Sequence, residues 1–344
     1  MERVRRVLEQ VVAEGRIPSV SLVVRADGEE RFAATLGRAR LDPERPAAGD
    51  LAYDLASVTK ILAGTLVAAA LVQEGRVALD APVDLEGLDP RITARHLLQH
   101  TSGLPAWAPL YERVSGPWGT DAARRAVLAA ARGPSVTEPG AVEVYSDLGF
   151  LALLDLLERR GGAPLDALFH RYVTGPLGLW ELRFGGWPQA AATERCPVRG
   201  VVVEGTVHDL NCAAMGGIST HAGLFGTARA VAAVGQAILD ALTGDPSPLA
   251  ADALRAFASA RGPGSHRLGF DGVSAGYTST GRHFPPDTVG HLGYTGTSCW
   301  IVPSRRAVVV LLTNRVHPVV DPAPIREARP RVHDAVATAL GWSP

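Results

Sequence analysis

Lys60 is the only lysine among the 34 basic residues of the chain, and Ser57 lies three residues before it. An amine can lose its proton and act as a base, whereas a guanidinium stays protonated in proteins. Positions i and i+3 of a helix project from one face, with Cβ atoms about 5 to 6 Å apart. Because a Ser–Lys pair is a known way to activate a hydroxyl, the spacing indicates a nucleophilic serine. The alternative is a helix-capping serine followed by a surface lysine.

The helix predicted for residues 57–74 is almost wholly apolar after Lys60 and stops at Gly75. A helix of this kind is surrounded by protein on most sides. Burial disfavours a charged amine, and lowering a lysine pKa from about 10.4 to near 7 costs on the order of 4 to 5 kcal/mol. Burial of this kind can supply the pKa shift that a neutral Lys60 requires. The helix start also offers the backbone N–H of Ser57 to negative charge on an attacked carbonyl.

Composition excludes several classes of protein. The 344 residues are 47% hydrophobic and 20% charged with a net charge of −1, so neither a nucleic-acid partner nor a polybasic membrane anchor is expected. The longest uncharged run, residues 61–73, is shorter than the roughly 20 residues of a membrane span. No apolar secretory segment follows the charged N-terminus. Cys196, Cys212 and Cys299 are odd in number and lack CxxC spacing, which favours reduced thiols and a cytoplasmic location.

Histidines and aromatic residues in the first half of the chain suggest further binding chemistry less strongly. His96 and His100 have i, i+4 spacing, but they lack the HExxH pattern and have no cysteine or carboxylate ligand nearby. We therefore expect neither a metal nor an organic cofactor. Trp107, Tyr111 and Trp118 lie in a Pro/Gly-rich loop, where they either pack together or line the mouth of a cleft.

The order of predicted elements indicates an α+β fold. An apolar stripe near the N-terminus predicts a helix, and residues 19–25 and 29–36 predict a hairpin around Asp27-Gly28. The middle of the chain is helical, four strands are predicted at 267–277, 289–294, 298–302 and 307–313, and a helix closes the chain at 325–340. We expect one antiparallel sheet built from both chain ends, flanked by terminal helices, with an inserted mainly helical lobe.

This organisation suggests one catalytic domain, residues 1–344, with two lobes. The α/β lobe comprises residues 1–56 and 262–344, and the helical lobe comprises residues 57–261.

Three short motifs together resemble a known family. Ser57-Val58-Thr59-Lys60, Tyr145-Ser146-Asp147 and His291-Leu292-Gly293 have the order and rough spacing of the active-site elements of penicillin-recognising serine hydrolases. The chain is most similar to the class C β-lactamase branch, which includes the family VIII esterases. The resemblance covers nearly the whole chain, including HTSGLP at residues 100–105, and implies the β-lactamase/transpeptidase-like fold.

The resemblance also implies roles for individual residues. Ser57 would accept the acyl group, Lys60 would be its partner, and Tyr145 would carry a proton to the leaving group. Whether Lys60 or Tyr145 is the main base stays open. The backbone N–H groups of Ser57 and Tyr294 would form the oxyanion hole. The residues implied to bind substrate are Asp147, His291 and Gly293.

Three departures from the family pattern bear on the substrate. Asp147 replaces a frequent asparagine, and its charge raises the pKa of Lys60 and repels a substrate carboxylate unless it faces an arginine or solvent. His291 replaces a frequent lysine, which removes an assured positive charge. Leu292 replaces a frequent threonine and removes a hydroxyl that could hold a ligand. These changes favour a neutral substrate.

The sequence therefore predicts a serine hydrolase that acts through an acyl-enzyme on Ser57, with a small ester, amide or peptide as substrate. Ester or small-amide hydrolysis is expected first. The alternatives are a D-Ala-D-Ala type peptidase, a weak β-lactamase, and a non-catalytic binding or scaffold protein with the penicillin-binding fold. The oligomeric state stays open. One further polar group either lines the rim of the cleft or caps helices near residues 211 and 228: His208, Asp209, Asn211 and His221.

Overall fold

The computed structural model describes residues 1–274, 276 and 278–342. The strands are β1 (Ser19–Ala26), β2 (Glu29–Leu41), β3 (Glu44–Pro46), β4 (Tyr53–Asp54), β5 (Leu182–Arg183), β6 (Phe225–Gly226), β7 (Asp271–Gly272), β8 (Val289–Leu292), β9 (Ser298–Val302) and β10 (Ala307–Thr313). The α-helices are α1 (Glu2–Ala13), α2 (Leu66–Gln73), α3 (Ala94–Leu98), α4 (Asp121–Ala131), α5 (Asp147–Gly161), α6 (Leu165–Phe169), α7 (Gly175–Leu177), α8 (Leu210–Ala214), α9 (Ala228–Thr243), α10 (Ala251–Ser259) and α11 (Ala323–Ala339). Two π-helical segments, Lys60–Thr65 and His170–Thr174, run directly into α2 and α7, and short 3₁₀ turns form at Leu110–Arg113 and Pro303–Arg305.

Seven strands form one sheet in the order β3-β2-β1-β10-β9-β8-β7, and neighbouring strands are antiparallel. The N-terminal hairpin joins the C-terminal strands through β1 and β10, where Val20 lies opposite Thr313 and Ala26 opposite Ala307. The predicted α+β class, with its sheet assembled from both chain ends, is confirmed. A second, three-stranded sheet has the order β4-β6-β5.

Both faces of the large sheet are covered, which explains why its central strands read as nearly continuous apolar runs. In β10, Ala307, Val309 and Leu311 belong to the hydrophobic cluster that includes residues of α1 and α11. Val308 and Val310 belong to the larger cluster on the other face, which extends into α9 and the helical part of the chain. Alternate side chains of a strand point to opposite faces, so β10 contributes to both cores.

The helical part of the chain packs around the Lys60–Thr65 segment, α2 and α5. Every residue of Lys60–Thr65 is buried, and Phe150 of α5 is fully buried beside it. The division into lobes 1–56 plus 262–344 and 57–261 stays a prediction. By its contacts α9 packs on β10, β9 and β1 of the large sheet as well as on α10.

One predicted strand differs from the structure. The strand expected over residues 267–277 is wrong for most of its length, because only Asp271–Gly272 pairs, with Gly290 and Val289 of β8. Gly269 interrupts it with a φ of +76° that a β-strand does not use. The end of that predicted strand includes Ala275 and Tyr277, which lie outside the described residues. Helix α10 was not predicted.

Two general expectations can be compared with the described chain. Over residues 1–274, 276 and 278–342, a membrane-crossing helix is not found, since none combines the necessary length with sufficient apolar character. The three cysteines, Cys196, Cys212 and Cys299, are buried and form no disulfide.

Candidate active site

Ser57 and Lys60 lie where the chain turns from β4 into the buried helical segment. The preceding residue, Ala56, has a φ of +45°, a strained conformation for a residue with a Cβ, and its N–H donates to Asp54 Oδ1 at 2.8 Å. This turn presents Ser57 at the helix start. Lys60 Nζ donates to Ser57 Oγ at 3.0 Å, so the structure brings the two predicted partners together.

Lys60 has two further partners, and they determine its charge. Its Nζ donates to Asp147 Oδ1 at 2.6 Å and lies 3.4 Å from the carbonyl oxygen of His221. Burial acts to lower the pKa of Lys60, but Asp147 and the Tyr145 hydroxyl together raise it above its ordinary value. Lys60 is therefore charged in the resting site, because the ion pair with Asp147 outweighs the cost of burying the ammonium.

Tyr145 lies over Lys60, with Nζ 4.7 Å from the ring centroid. The residue is 36% exposed, yet burial of its hydroxyl is the main cause that raises its pKa. The positive charge of Lys60, followed by the polar groups of Lys60 and Ser57, acts to lower that pKa. Tyr145 is thus a neutral phenol next to a charged amine.

His100 holds the segment that carries Tyr145. Its own backbone has a φ of +57°, and its carbonyl accepts the N–H of Val144 at 2.8 Å. Its ring Nδ1 accepts the N–H of Ser146 at 3.0 Å, and the hydroxyl of Ser146 caps α5 through the N–H of Gly149. Asp147, the first residue of α5, is thereby aimed at Lys60.

The predicted oxyanion elements are bridged directly by two threonines of the turn between β8 and β9. Thr295 Oγ1 donates to the carbonyl of Asp54 at 2.8 Å, and Thr297 Oγ1 donates to the carbonyl of Leu55 at 2.9 Å. A Cβ on Gly293 would lie 2.5 Å from that Leu55 oxygen, so glycine permits the close approach. The backbone of Tyr294 is therefore held beside the segment that leads to Ser57.

His291 is buried and neutral. Its Nδ1–H donates to the carbonyl of Leu292 at 2.6 Å, and its ring lies 5.7 Å from that of Tyr145. Burial, followed by the nearby charge of Lys60, holds its pKa well below the usual range. The lysine-to-histidine departure thus leaves this corner of the site without a positive charge.

The structure separates His96 from His100. His96 Nδ1 accepts the N–H of Thr93 at the start of α3, whereas His100 joins His266 and His291 beside Tyr145. His266 was missed by sequence reasoning, since nothing in its local sequence relates it to residues far away along the chain.

Helix capping accounts for most of the polar group at residues 208–221. Asp209 Oδ1 accepts the N–H of Cys212 at 2.7 Å and caps α8, while the ring of His221 contacts the same oxygen at 3.0 Å. Asn211 is buried and bonds the backbone of Tyr111. Among these residues, the carbonyl of His221 and the N–H of His208, which donates to Asp54, reach toward the site.

The three aromatic residues of the predicted mouth lie in different surroundings. Tyr111 and Trp118 pack edge to face with ring centroids 5.9 Å apart, whereas Trp107 is 50% exposed.

Two buried arginines support the turn at residues 293–297 from behind. Arg329 of α11 donates through Nη2 to the carbonyls of Gly293 and Thr297, both at 2.8 Å, and burial lowers its pKa to about 9. Arg315 Nη2 donates to the carbonyl of Tyr294 at 2.5 Å. Neither contact could be predicted from local sequence, because a single sequence does not distinguish a surface arginine from a buried arginine that binds the carbonyls of a turn.

Comparison with known proteins places this chain in a family. The family model described as Beta-lactamase matches residues 4–333. A protein of Escherichia coli (strain K12) named "Putative D-alanyl-D-alanine carboxypeptidase" is 31% identical, over 89% of this chain and 80% of that protein. The structure of EstCE1, a hydrolase with promiscuous acyltransferase activity, aligns with a TM-score of 0.75 at 23% identity, over 96% of this chain and 98% of that one. The D-amino acid amidase from Ochrobactrum anthropi SV3 aligns with a TM-score of 0.75 at 22% identity, over 98% and 99%. These structures share the fold, and the chain belongs to the β-lactamase family of serine hydrolases.

Proposed function

We propose that this protein hydrolyses small esters or amides through a covalent acyl-enzyme on Ser57. The observation that carries the proposal is the 3.0 Å contact between Lys60 Nζ and Ser57 Oγ, with the ring centroid of Tyr145 4.7 Å from the same Nζ. A hydroxyl in contact with an amine, with a phenol beside them, can pass a proton from nucleophile to leaving group.

The protons can be followed through the reaction. In the resting site Lys60 is an ammonium ion, so it must first pass one proton to Asp147 across the 2.6 Å contact. The neutral amine then takes the proton of Ser57 as the hydroxyl oxygen attacks the carbonyl. Tyr145 gives its proton to the departing alcohol or amine and is reprotonated by Lys60. In the second half a water molecule attacks the acyl group, its proton moves by the same groups, and Ser57 leaves as the hydroxyl.

The charges of the site favour a neutral substrate. The charge of Lys60 is already paired with Asp147, and His291 is held neutral by burial. The Asp147 side chain is 18% exposed, so it also repels a carboxylate that approaches the cleft. An anionic β-lactam needs a free cation to bind its carboxylate, whereas neutral esters and small amides do not. We therefore expect esters and small amides to be better substrates than anionic β-lactams.

A D-Ala-D-Ala type peptidase is the second candidate. This candidate is supported by the name of the E. coli relative. That relative is 31% identical to this chain over the aligned region. That activity requires recognition of a terminal carboxylate, which the paired Lys60 and neutral His291 do not provide.

The proposal is tested with a fluorophosphonate probe and p-nitrophenyl acetate on the wild type, on Ser57→Ala, and on Ser259→Ala, an exposed serine that serves as control. We expect labelling and turnover in the wild type and the control, and neither in Ser57→Ala. If the wild type is neither labelled nor active, the remaining candidate is a non-catalytic binding or scaffold protein. Equal labelling of Ser57→Ala would place the nucleophile elsewhere.

A panel of substrates then ranks the three candidate activities, esterase, D-Ala-D-Ala peptidase and β-lactamase. Short-chain esters should give the highest kcat/KM, a D-Ala-D-Ala dipeptide a lower one, and nitrocefin the lowest. If the dipeptide or nitrocefin exceeds every ester, the charge argument is wrong.

A further inference from the structure

We infer that His100, His266 and His291 form a binding site for a divalent transition-metal ion of the Zn²⁺ class beside Tyr145, and that its occupation inhibits the hydrolase reaction. Metal binding is independent of the proposed function, whereas the inhibition rests on it. From the sequence no metal is expected, because only His96 and His100 have a suitable spacing. Local sequence does not relate His266 to either of them.

The three imidazoles are close enough for one ion to bind. One ring nitrogen from each lies within 4.8 Å of the others. Imidazole is a preferred ligand of Zn²⁺, and three histidines with an open fourth position form a known type of site. Tetrahedral Zn–N bonds of about 2.0 to 2.1 Å place ligand nitrogens about 3.4 Å apart, so the widest pair must close by roughly 1.4 Å.

Two of the rings are already held in the tautomer that a metal requires. His291 Nδ1 donates to the carbonyl of Leu292 at 2.6 Å, and His266 Nδ1 lies 2.8 Å from Glu143 Oε1, which can only accept as a carboxylate. Both rings therefore keep a free lone pair on Nε2. Metal-bound histidines usually donate their other N–H to a carbonyl or carboxylate in this manner.

One of those lone pairs is an unsatisfied buried group. Among the described residues, His291 Nε2 has no hydrogen-bond partner, and the residue is only 4% exposed. An unpaired buried acceptor is costly, so a cation at this point would remove a penalty that the protein carries without it. The nearby acids Glu143 and Asp271 favour a cation, whereas Lys60 opposes it and is partly compensated by Asp147.

The third ring explains why binding would inhibit. His100 Nδ1 accepts the N–H of Ser146, so in its neutral form the proton lies on Nε2. To bind a metal through Nε2, the proton must move to Nδ1, and the bond from Ser146 is lost. Ser146 is bonded to Tyr145, whose ring lies 4.6 Å from His100 and 5.7 Å from both His266 and His291. Metal binding therefore displaces Tyr145 from Ser57 and Lys60.

Protein freed of metal with a chelator is titrated with Zn²⁺ by calorimetry, and with Co²⁺ by its visible spectrum, which reports tetrahedral nitrogen coordination. We expect binding of one ion per chain, and a parallel loss of p-nitrophenyl acetate hydrolysis that EDTA reverses. Glu143→Gln should bind Zn²⁺ about 10- to 100-fold more weakly, His266→Asn, which loses a ligand, should bind it more weakly still, and both should escape inhibition. His170→Asn, which changes an exposed histidine, should behave as the wild type.

Failure to bind one Zn²⁺ per chain would overturn the site, and so would binding of unchanged affinity in both His266→Asn and Glu143→Gln. If His266→Asn does not fold, Glu143→Gln, which keeps all three ligands, decides the question. Binding without loss of activity would overturn the inhibition alone. If the protein hydrolyses no ester, calorimetry and the Co²⁺ spectrum still test the site, so the two proposals fail separately.

Discussion

Asp147→Asn gives the sharpest test of how the Lys60 amine becomes a base. Asp147 stabilises the ammonium form of Lys60 and thereby raises its pKa, while burial alone would lower it. Asparagine keeps the shape of the side chain and removes the charge. The neutral amine should then be present at lower pH, so the acid limb of kcat/KM, which reports groups of the free enzyme, should move to lower pH.

The size of the shift follows from the geometry. Two unit charges at the 2.6 Å separation of Nζ and Oδ1 attract by about 6 kcal/mol at an effective dielectric constant near 20, an upper bound for this pair. Asp147 is 18% exposed, so water weakens the attraction. Pairing with an opposite charge ordinarily shifts a pKa by about 1 to 3 units, or roughly 1.4 to 4 kcal/mol. We expect the acid limb to move by that amount.

The assay is the pH profile of kcat/KM for p-nitrophenyl acetate. Asp155→Asn is the matched control, because Asp155 lies on the same helix and pairs with Arg132 and Arg159 instead of Lys60. Its profile should coincide with that of the wild type. An acid limb that stays in place or moves to higher pH in Asp147→Asn would refute the assignment of the base to Lys60.

Three further predictions concern individual side chains. Lys60→Arg should lower kcat/KM by at least about 100-fold, because a guanidinium cannot take the proton of Ser57, and full activity would contradict the amine mechanism. Tyr145→Phe should lower kcat by about 100- to 10,000-fold with an unchanged melting temperature, since the ring contacts stay and only the hydroxyl is lost; a normal kcat would remove Tyr145 from the proton path. Burial lowers the pKa of His333 to about 4 from its ordinary 6.5, so the unfolded chain binds a proton that the native protein does not, and about 3 kcal/mol of stability should be lost as pH falls from 6.5 to 4. Urea unfolding of His333→Met should show a flatter pH dependence over that window, and an identical slope would contradict the linkage.

The sequence predicted the parts of the molecule that depend on local pattern. Apolar runs bounded by turn residues place strands at 298–302 and 307–313, and the structure has β9 and β10 at those bounds. The isolated lysine and its spacing from Ser57 predict a contact that the structure contains. Local periodicity reports which side chains must be buried, and this was enough for the class of fold.

Contacts between polar groups far apart along the chain could not be predicted in the same way. The sequence showed that Asp147 opposes a neutral Lys60, but the result depends on a 2.6 Å contact across 87 residues. His266 beside His100 and Arg329 under Gly293 are of the same kind. A pattern of apolar residues does not specify which polar groups face one another, so these contacts require the folded geometry.

The pairing of β1 with β10 has a consequence for synthesis of the protein. During synthesis β1 is complete at residue 26, but its partner strand β10 begins at Ala307. One edge of the N-terminal hairpin therefore stays unpaired while about 280 further residues are made. Open strand edges are templates for wrong association, and pairing across such separations is slow. Arg329, which supports the turn that holds Tyr294 beside Ser57, is synthesised even later than β10. Hydrolytic activity should therefore appear only after nearly the whole chain has left the ribosome, and nascent chains that stop before β10 are expected to depend on chaperones to stay in solution.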